Sequence, residues 1–192
     1  MRRVVGVLGI LAVLSVLGAA AAAVVHRPES RAVAGSQWLR AYGLEVAVPV
    51  ARWRLTQESE AIRYGDTATV RAPAVLDEGF CPSSRSSSRA FVGLLPPQPG
   101  RLDAVLTNQL AGWVFAIGGK AIPIPAVKGP RADFEVPVPA GPCAPTTAHL
   151  TLVATTTAQG VVTLVLVRDV GEPGDLSPKE ADAIAQSLRS RT

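Results

Sequence analysis

The sequence predicts an α+β domain, a mostly antiparallel β-sheet flanked by helices and preceded by one N-terminal hydrophobic helix. Three observations carry this prediction. Residues 148–170 form two long β-branched and apolar runs joined around Gln159–Gly160, the pattern of a hairpin. Within the domain, helical spacing of apolar residues recurs after the break at Pro96–Gly100 and again near the C-terminus. The chain also opens on an uncharged stretch of bilayer length.

That opening stretch sets the compartment. Arg2 and Arg3 precede an uncharged run of 22 residues from Val4 to Val25. As a helix it extends roughly 33 Å, enough for a hydrocarbon core and longer than the roughly 7–15 residues of a secretory apolar region. Residues 1–25 therefore read as a signal anchor, with both arginines cytoplasmic and everything after His26 outside. The alanines from Ala19 to Ala23 offer small-x-small cleavage sites, and Arg27 and Arg31 lie on the translocated side. The alternative is a cleaved signal peptide, which leaves the remainder secreted. Lipid attachment is not expected, because no cysteine follows the run. Residues 26–37, "HRPESRAVAGSQ", have no hydrophobic period and read as a linker; residues 38–192 read as the extracytoplasmic domain.

Within the domain, Leu44, Val46 and Val48 alternate as a half-buried strand. Pro49 has no N–H to give a central ladder and is expected at a turn or edge; Trp53 and Leu55 begin another short strand. Thr67–Val75 and Arg89–Leu95 are further strands on either side of the loop that holds Cys81. The spacing of Leu102, Val105, Leu106, Leu110 and Trp113 predicts a helix from Leu102 to Ile117, docked by Leu106, Leu110 and Trp113 and ended by Gly118–Gly119. "KAIPIPAVK" and "ADFEVPVPA" each carry two prolines, so they are expected as edge strands or as extended chain outside any ladder. The almost wholly apolar "VVTLVLV" requires cover on both faces. The C-terminus shows a capping box: Ser177 as N-cap, Pro178 in the first turn and Glu180 at the third position. Leu176 is placed to staple against Ala181, and Ala181, Ile184, Ala185 and Leu188 share the face that docks.

Charge excludes one class of partner. Beyond Arg2 and Arg3 the chain has 17 basic residues against 15 acidic, a net charge of +2. That is too little for a nucleic-acid footprint, and no nucleic-acid partner is expected. The stretch "SSRSSSR" reads as a solvated loop.

Cys81 and Cys143 are the only cysteines. In an exported domain an even count is most simply a disulfide, and both sit in Gly- and Pro-marked loops, "EGFCPSS" and "AGPCAPTT". A bridge between them closes a loop large enough to stabilise the fold by about 4 kcal/mol on chain-entropy grounds. A nucleophilic cysteine requires a base, and the only histidines are His26 and His149. Two cysteines and a histidine without short spacing make no zinc site, so neither metal nor cofactor is expected. No nucleotide fingerprint, nucleophile elbow or paired histidine occurs, and "GGK" at Gly118–Lys120 lacks the spacing of a phosphate loop.

The order of these features is an anchor, "YGLEVAVPVARW", a cysteine, a helix ending "AGWVFAIGGK", a second cysteine, the hairpin and "SPKEADAIAQSLR". It resembles a group of actinobacterial membrane-anchored envelope domains of unknown function. It is also similar in layout to the LpqN-type envelope lipoproteins, whose fold is PsbP-like, an antiparallel sheet between helices. The resemblance rests on Val48, Pro49 and Trp53 at the start and on Ser187, Leu188 and Arg189 at the close. It implies a PsbP-like α/β/α sandwich and carries over no catalytic residue.

The expected function is a non-enzymatic, membrane-tethered extracytoplasmic module that binds an envelope protein or ligand. The alternative is an envelope hydrolase or transferase with a site assembled around His149, using Asp133 and one of Ser83 to Ser88. The compartment is directly testable: on freshly isolated, unreduced protein neither sulfur should take up an alkylating probe until a reductant is added. Full labelling without reductant would overturn the extracytoplasmic placement.

Overall fold

The computed structural model describes residues 35–56, 61–64 and 68–191. The hydrophobic N-terminal segment, and with it the expected anchor helix, lies outside the described residues. Among the described residues no helix is long and apolar enough to cross a membrane.

The predicted hairpin is the centre of the molecule. Strands β8 (Thr147–Thr157) and β9 (Gly160–Asp169) pair in register from Ala148↔Asp169 to Thr157↔Gly160. Alternation sends Val161, Val165 and Val167 of β9 to one face and Val162, Leu164 and Leu166 to the other, and all six are buried. The prediction that this strand is covered twice therefore holds. On its other side β9 pairs with β6 (Ala90–Leu94), and β6 with β5 (Ala68–Leu76); β7 (Arg131–Pro137) pairs with β8. The order of this seven-stranded sheet is β3-β5-β6-β9-β8-β7, where β3 is Trp53–Leu55 and β4 (Ala61–Tyr64) also pairs with β5. Every named pairing is antiparallel.

Strand β5 serves two partners because it is bulged. Arg71 faces Leu94 and Ala74 faces Val92, so the segment holding Ala72 and Pro73 carries one residue more than its partner. Proline fits such a bulge because it has no N–H to lose. Below the bulge β5 pairs with β4, and above it with β3. On the other side β6 has to come very close to β5. A Cβ on Gly93 would stand 1.9 Å from Cγ1 of Val70, a fully buried side chain, so only glycine fits there.

Helix α1 (Leu102–Gly118) covers one face through Leu106, Leu110, Trp113 and Ile117. Trp113 packs against Phe91 with ring centroids 5.7 Å apart, a core role as expected. The helix ends where the Gly118–Gly119 pair predicts: Gly119 is left-handed at φ 67°, and its N–H donates to the Phe115 carbonyl. Of the two proline-rich stretches, residues 120–128 lie outside any ladder. The other provides β7, an edge strand as expected.

The opposite face is covered by a second layer of mixed make-up. Strands β1 (Ser36–Ala41), β2 (Leu44–Pro49) and β10 (Arg189–Ser190) form a small sheet, joined by helix α2 (Pro178–Gln186). Leu39, Val46, Val48, Leu176, Ala181 and Ile184 meet Val92, Leu94, Leu164 and Leu166 in one core. Both capping-box bonds of α2 form between Ser177 and Glu180. The helix is shorter than its apolar period implies. Ser187 Oγ donates to the Ile184 carbonyl at 2.6 Å and accepts from the Ala47 N–H at 2.9 Å, which takes the chain out of the helix and onto β2. Leu188 still packs on the same core from beyond the helix end. β1 takes in Ser36 and Gln37, so the first strand starts two residues before Trp38.

Glu45, in the middle strand of the small sheet, holds both neighbours. It accepts from Arg189 of β10 at 2.8–2.9 Å and from Arg40 of β1 at 3.3 Å. Burial pushes its carboxyl up, but the hydrogen bonds and charges of Arg189 and Arg40 outweigh this and hold it below the ordinary value. A lowered carboxyl stabilises the fold fully above its unfolded pKa of about 4.3, and the contribution is lost as pH falls through the folded value. Glu45→Gln should therefore melt about 2–4 °C below wild type at pH 7, equivalent to roughly 1 kcal/mol, with the gap closing below about pH 4 in thermal melts.

Candidate functional site

The sulfurs of Cys81 and Cys143 are joined, with Cα atoms 5.8 Å apart, within the span that a disulfide bridges without backbone movement. The bond ties the β5–β6 loop to the β7–β8 loop. The first of these is shaped by Ser87: its Oγ accepts from the Cys81 N–H at 3.0 Å and donates to the Ser84 carbonyl at 2.8 Å, while its carbonyl accepts from Gly79 at 2.7 Å. Cys143 sits in the left-handed region at φ 56°, an unusual conformation for a residue with a Cβ.

Beneath this staple, where the large sheet meets the C-terminal end of α1, lies a cavity of about 310 Å³. Phe91, Ile117, Val138, Ala148 and Val167 give it an apolar floor; Ser84, Ser86, Ser87 and Ser88 also border it, the Ser87 hydroxyl being engaged within its own loop. Sequence reasoning placed these serines on a solvated loop. The loop is solvent-facing, with Ser83, Arg85 and Ser86 exposed; in addition Ser87 folds it, and Ser84, Ser86, Ser87 and Ser88 border the cavity.

The charged groups in the cleft are Arg89 and Asp169. Arg89 Nη1 donates to Asp169 Oδ2 at 3.1 Å, lies 3.7 Å from Glu172 Oε2, and its guanidinium stacks 3.8 Å over the Phe80 ring. Burial is the main influence on Asp169 and pushes its carboxyl up; Arg89 opposes this, and Glu172 and Asp175 add to the rise. The pair leaves the lining without net charge. An apolar floor, a hydroxyl rim and an internally neutralised ion pair suit an uncharged ligand with an apolar body and hydrogen-bonding substituents. Sequence reading missed Arg89 and Asp169. The available signal was a carboxylate that directly follows the buried run of β9, where it needs a partner.

The residues of the catalytic alternative are brought together in part. His149 Nε2 lies 3.4 Å from Asp133 Oδ1 across the β7–β8 pair. Thr151 Oγ1 donates to the same oxygen at 2.7 Å, and Arg131 donates to both Asp133 oxygens at 2.6 and 2.9 Å and to Asp182 of α2 at 2.5 Å. Burial raises the Asp133 carboxyl, but the bonds from Arg131 and Thr151, with Arg131's charge and the His149 contact, hold it below the ordinary value. The serines do not join this group. Ser84, Ser86, Ser87 and Ser88 border the cavity on the α1 side together with Ala148, whereas His149, next in the strand, points to the α2 side.

Fold and cleft together define a disulfide-stapled α+β domain built around a neutral, hydroxyl-rimmed cavity. The chain belongs to the DUF8017 family, a domain of unknown function whose family profile matches residues 28–192. Comparison with curated proteins finds no match.

The Arg89–Asp169 pair yields a double-mutant test. Arg89→Ala leaves a buried carboxylate uncompensated and should cost about 3 kcal/mol in chemical denaturation. Adding Asp169→Asn should restore most of that loss, since the charge, rather than the lost contact, is what destabilises the single variant.

Proposed function

We propose that this chain is a non-catalytic binding or accessory module of the cell envelope, tethered to the membrane by a single N-terminal span with its domain on the extracytoplasmic side. If the N-terminal segment is cleaved, the same domain acts as a secreted protein. The cavity roofed by the Cys81–Cys143 bond is the observation that carries this reading. A disulfide across two cavity-forming loops suits an oxidising compartment, and the uncharged run from Val4 to Val25 supplies a route to it. The finer assignment, an actinobacterial envelope domain with the PsbP-like layout of the LpqN-type lipoproteins, rests on the sequence resemblance. Its ligand would be an uncharged envelope component, or a partner-protein segment, with apolar and hydroxyl-bonding groups.

The second reading, an envelope hydrolase or transferase, draws on the Asp133–His149 contact. Asp133 there is already engaged by Arg131 and Thr151, which makes it a structural acceptor before it orients any histidine.

A photo-reactive residue in place of Ser86, at the cavity rim, tests the binding reading on intact cells against one in place of Ala183 on the exposed face of α2. A specific adduct in the membrane fraction is expected from position 86 and not from position 183. Identical patterns at both positions, or no adduct under any growth condition, would count against the proposal.

A further inference from the structure

Three described residues combine a charge with deep burial: Glu45, Arg168 and Asp169, each 7–8% exposed. Glu45 is held by Arg40 and Arg189, and Asp169 by Arg89. Arg168 makes no ion pair among the described residues. Its guanidinium has five N–H donors, and its protein partner is the Leu176 carbonyl, at 3.4 Å from Nη1. Burying a cation without an opposite charge is costly, which is why such groups almost always face an anion.

Arg168 does not stand alone. In the β8–β9 register it is directly opposite His149, so the two side chains are neighbours on the α2 face of the sheet. Both line a second cavity, of about 190 Å³, between the sheet and the first turns of α2. His149 Nδ1 is buried and makes no hydrogen bond, while Nε2 is turned to Asp133. The other charged groups facing His149 are Arg131, Asp133 and Glu135 on β7 and Asp182 on α2. Arg131, Asp133 and Asp182 satisfy one another, and Glu135 is exposed beside His149 in the β7–β8 register. What is left over beside this cavity is the Arg168 guanidinium, with the His149 ring directly opposite it in the register.

We propose that Arg168 and His149 bind a small carboxylate- or phosphate-bearing anion in this second cavity. Arg168 provides the planar, two-pronged donor set that such groups accept, and the His149 ring walls the cavity beside it. The site is on the opposite side of the sheet from the cleft under the disulfide and does not depend on the ligand of that cleft.

The test uses the full chain in detergent, with nitrogen-15 signals of the Arg168 Nε–H and the His149 ring followed during titration with inorganic phosphate and, separately, with acetate. Chloride holds the ionic strength constant. Saturable shifts of both side chains are expected with one or both probes. Phosphate alone saturating the site would assign a phosphate group to the natural ligand, and saturation by both would assign the chemistry they share. Arg168 is buried and its removal endangers the fold, so the informative variant is the part-exposed His149→Gln, which should weaken binding about tenfold or more while retaining the wild-type spectrum elsewhere. Shifts that stay linear and match those caused by chloride, or a His149→Gln protein that binds as tightly as wild type, would overturn the assignment.

Discussion

A strand with no polar side to show to water constrains the rest of the molecule. From Val161 to Val167 every residue of β9 is buried, and its two rows of aliphatic side chains point in opposite directions. Burying such rows is worth roughly 1.5–3 kcal/mol per large aliphatic side chain, but only if each row meets a partner surface. Helix α1 provides one surface. Among the described residues no second helix is long enough to provide the other, since α2 covers little more than two turns, and so β1, β2 and β10 combine with it into the opposing layer. The need for two covers brings the two ends of the described chain together at β2, where Glu45 holds β1 and β10 at once.

Where a local pattern and its tertiary setting agree, the fold is legible in the sequence. The β8–β9 hairpin, α1 with its glycine cap, and the Ser177–Glu180 box all follow from period and cap chemistry over a few residues. Elements whose existence depends on a distant partner are not legible in that way. β10 is two residues long and forms because Ser187 finds the backbone of Ala47, a contact over 140 positions that no local window contains. The bulge at Pro73 is another such case: a proline in a strand-like run signals an irregularity, but not that the strand uses it to serve two partners. The candidate sites divide in the same way. The cysteine pairing follows from there being just two cysteines, both in Gly- and Pro-marked loops, whereas the cavity beside it needs Phe91, Ile117 and Val167, from three separate elements. The pairing of His149 with Arg168 is likewise a fact of register.

The disulfide and the cavity are two aspects of one arrangement. The loops at Cys81 and Cys143 leave the large sheet at the same end, each folded mainly by its own short-range bonds: Ser84 and Ser87 in one, Gly141 and Ala144 in the other. A covalent link between them holds the cavity's roof at a fixed distance from its apolar floor without demanding a larger core. The charged pair inside belongs to the same economy of means. Arg89 neutralises Asp169 and lies flat on Phe80, which gives a polar lining at little cost in buried charge.

The outermost strand of the large sheet has an effect on how copies of this protein meet. β7 ends on Pro137, and residues 138–140 add Pro139 directly beyond it, while Arg131, Asp133 and Glu135 place charges on alternate positions along its length. Such an edge offers an approaching strand an interrupted row of donors and a charged border, the two devices by which natural sheets resist zipping together end on end into fibrils. At high concentration, this rim of the sheet opposes edge-to-edge pairing of neighbouring molecules.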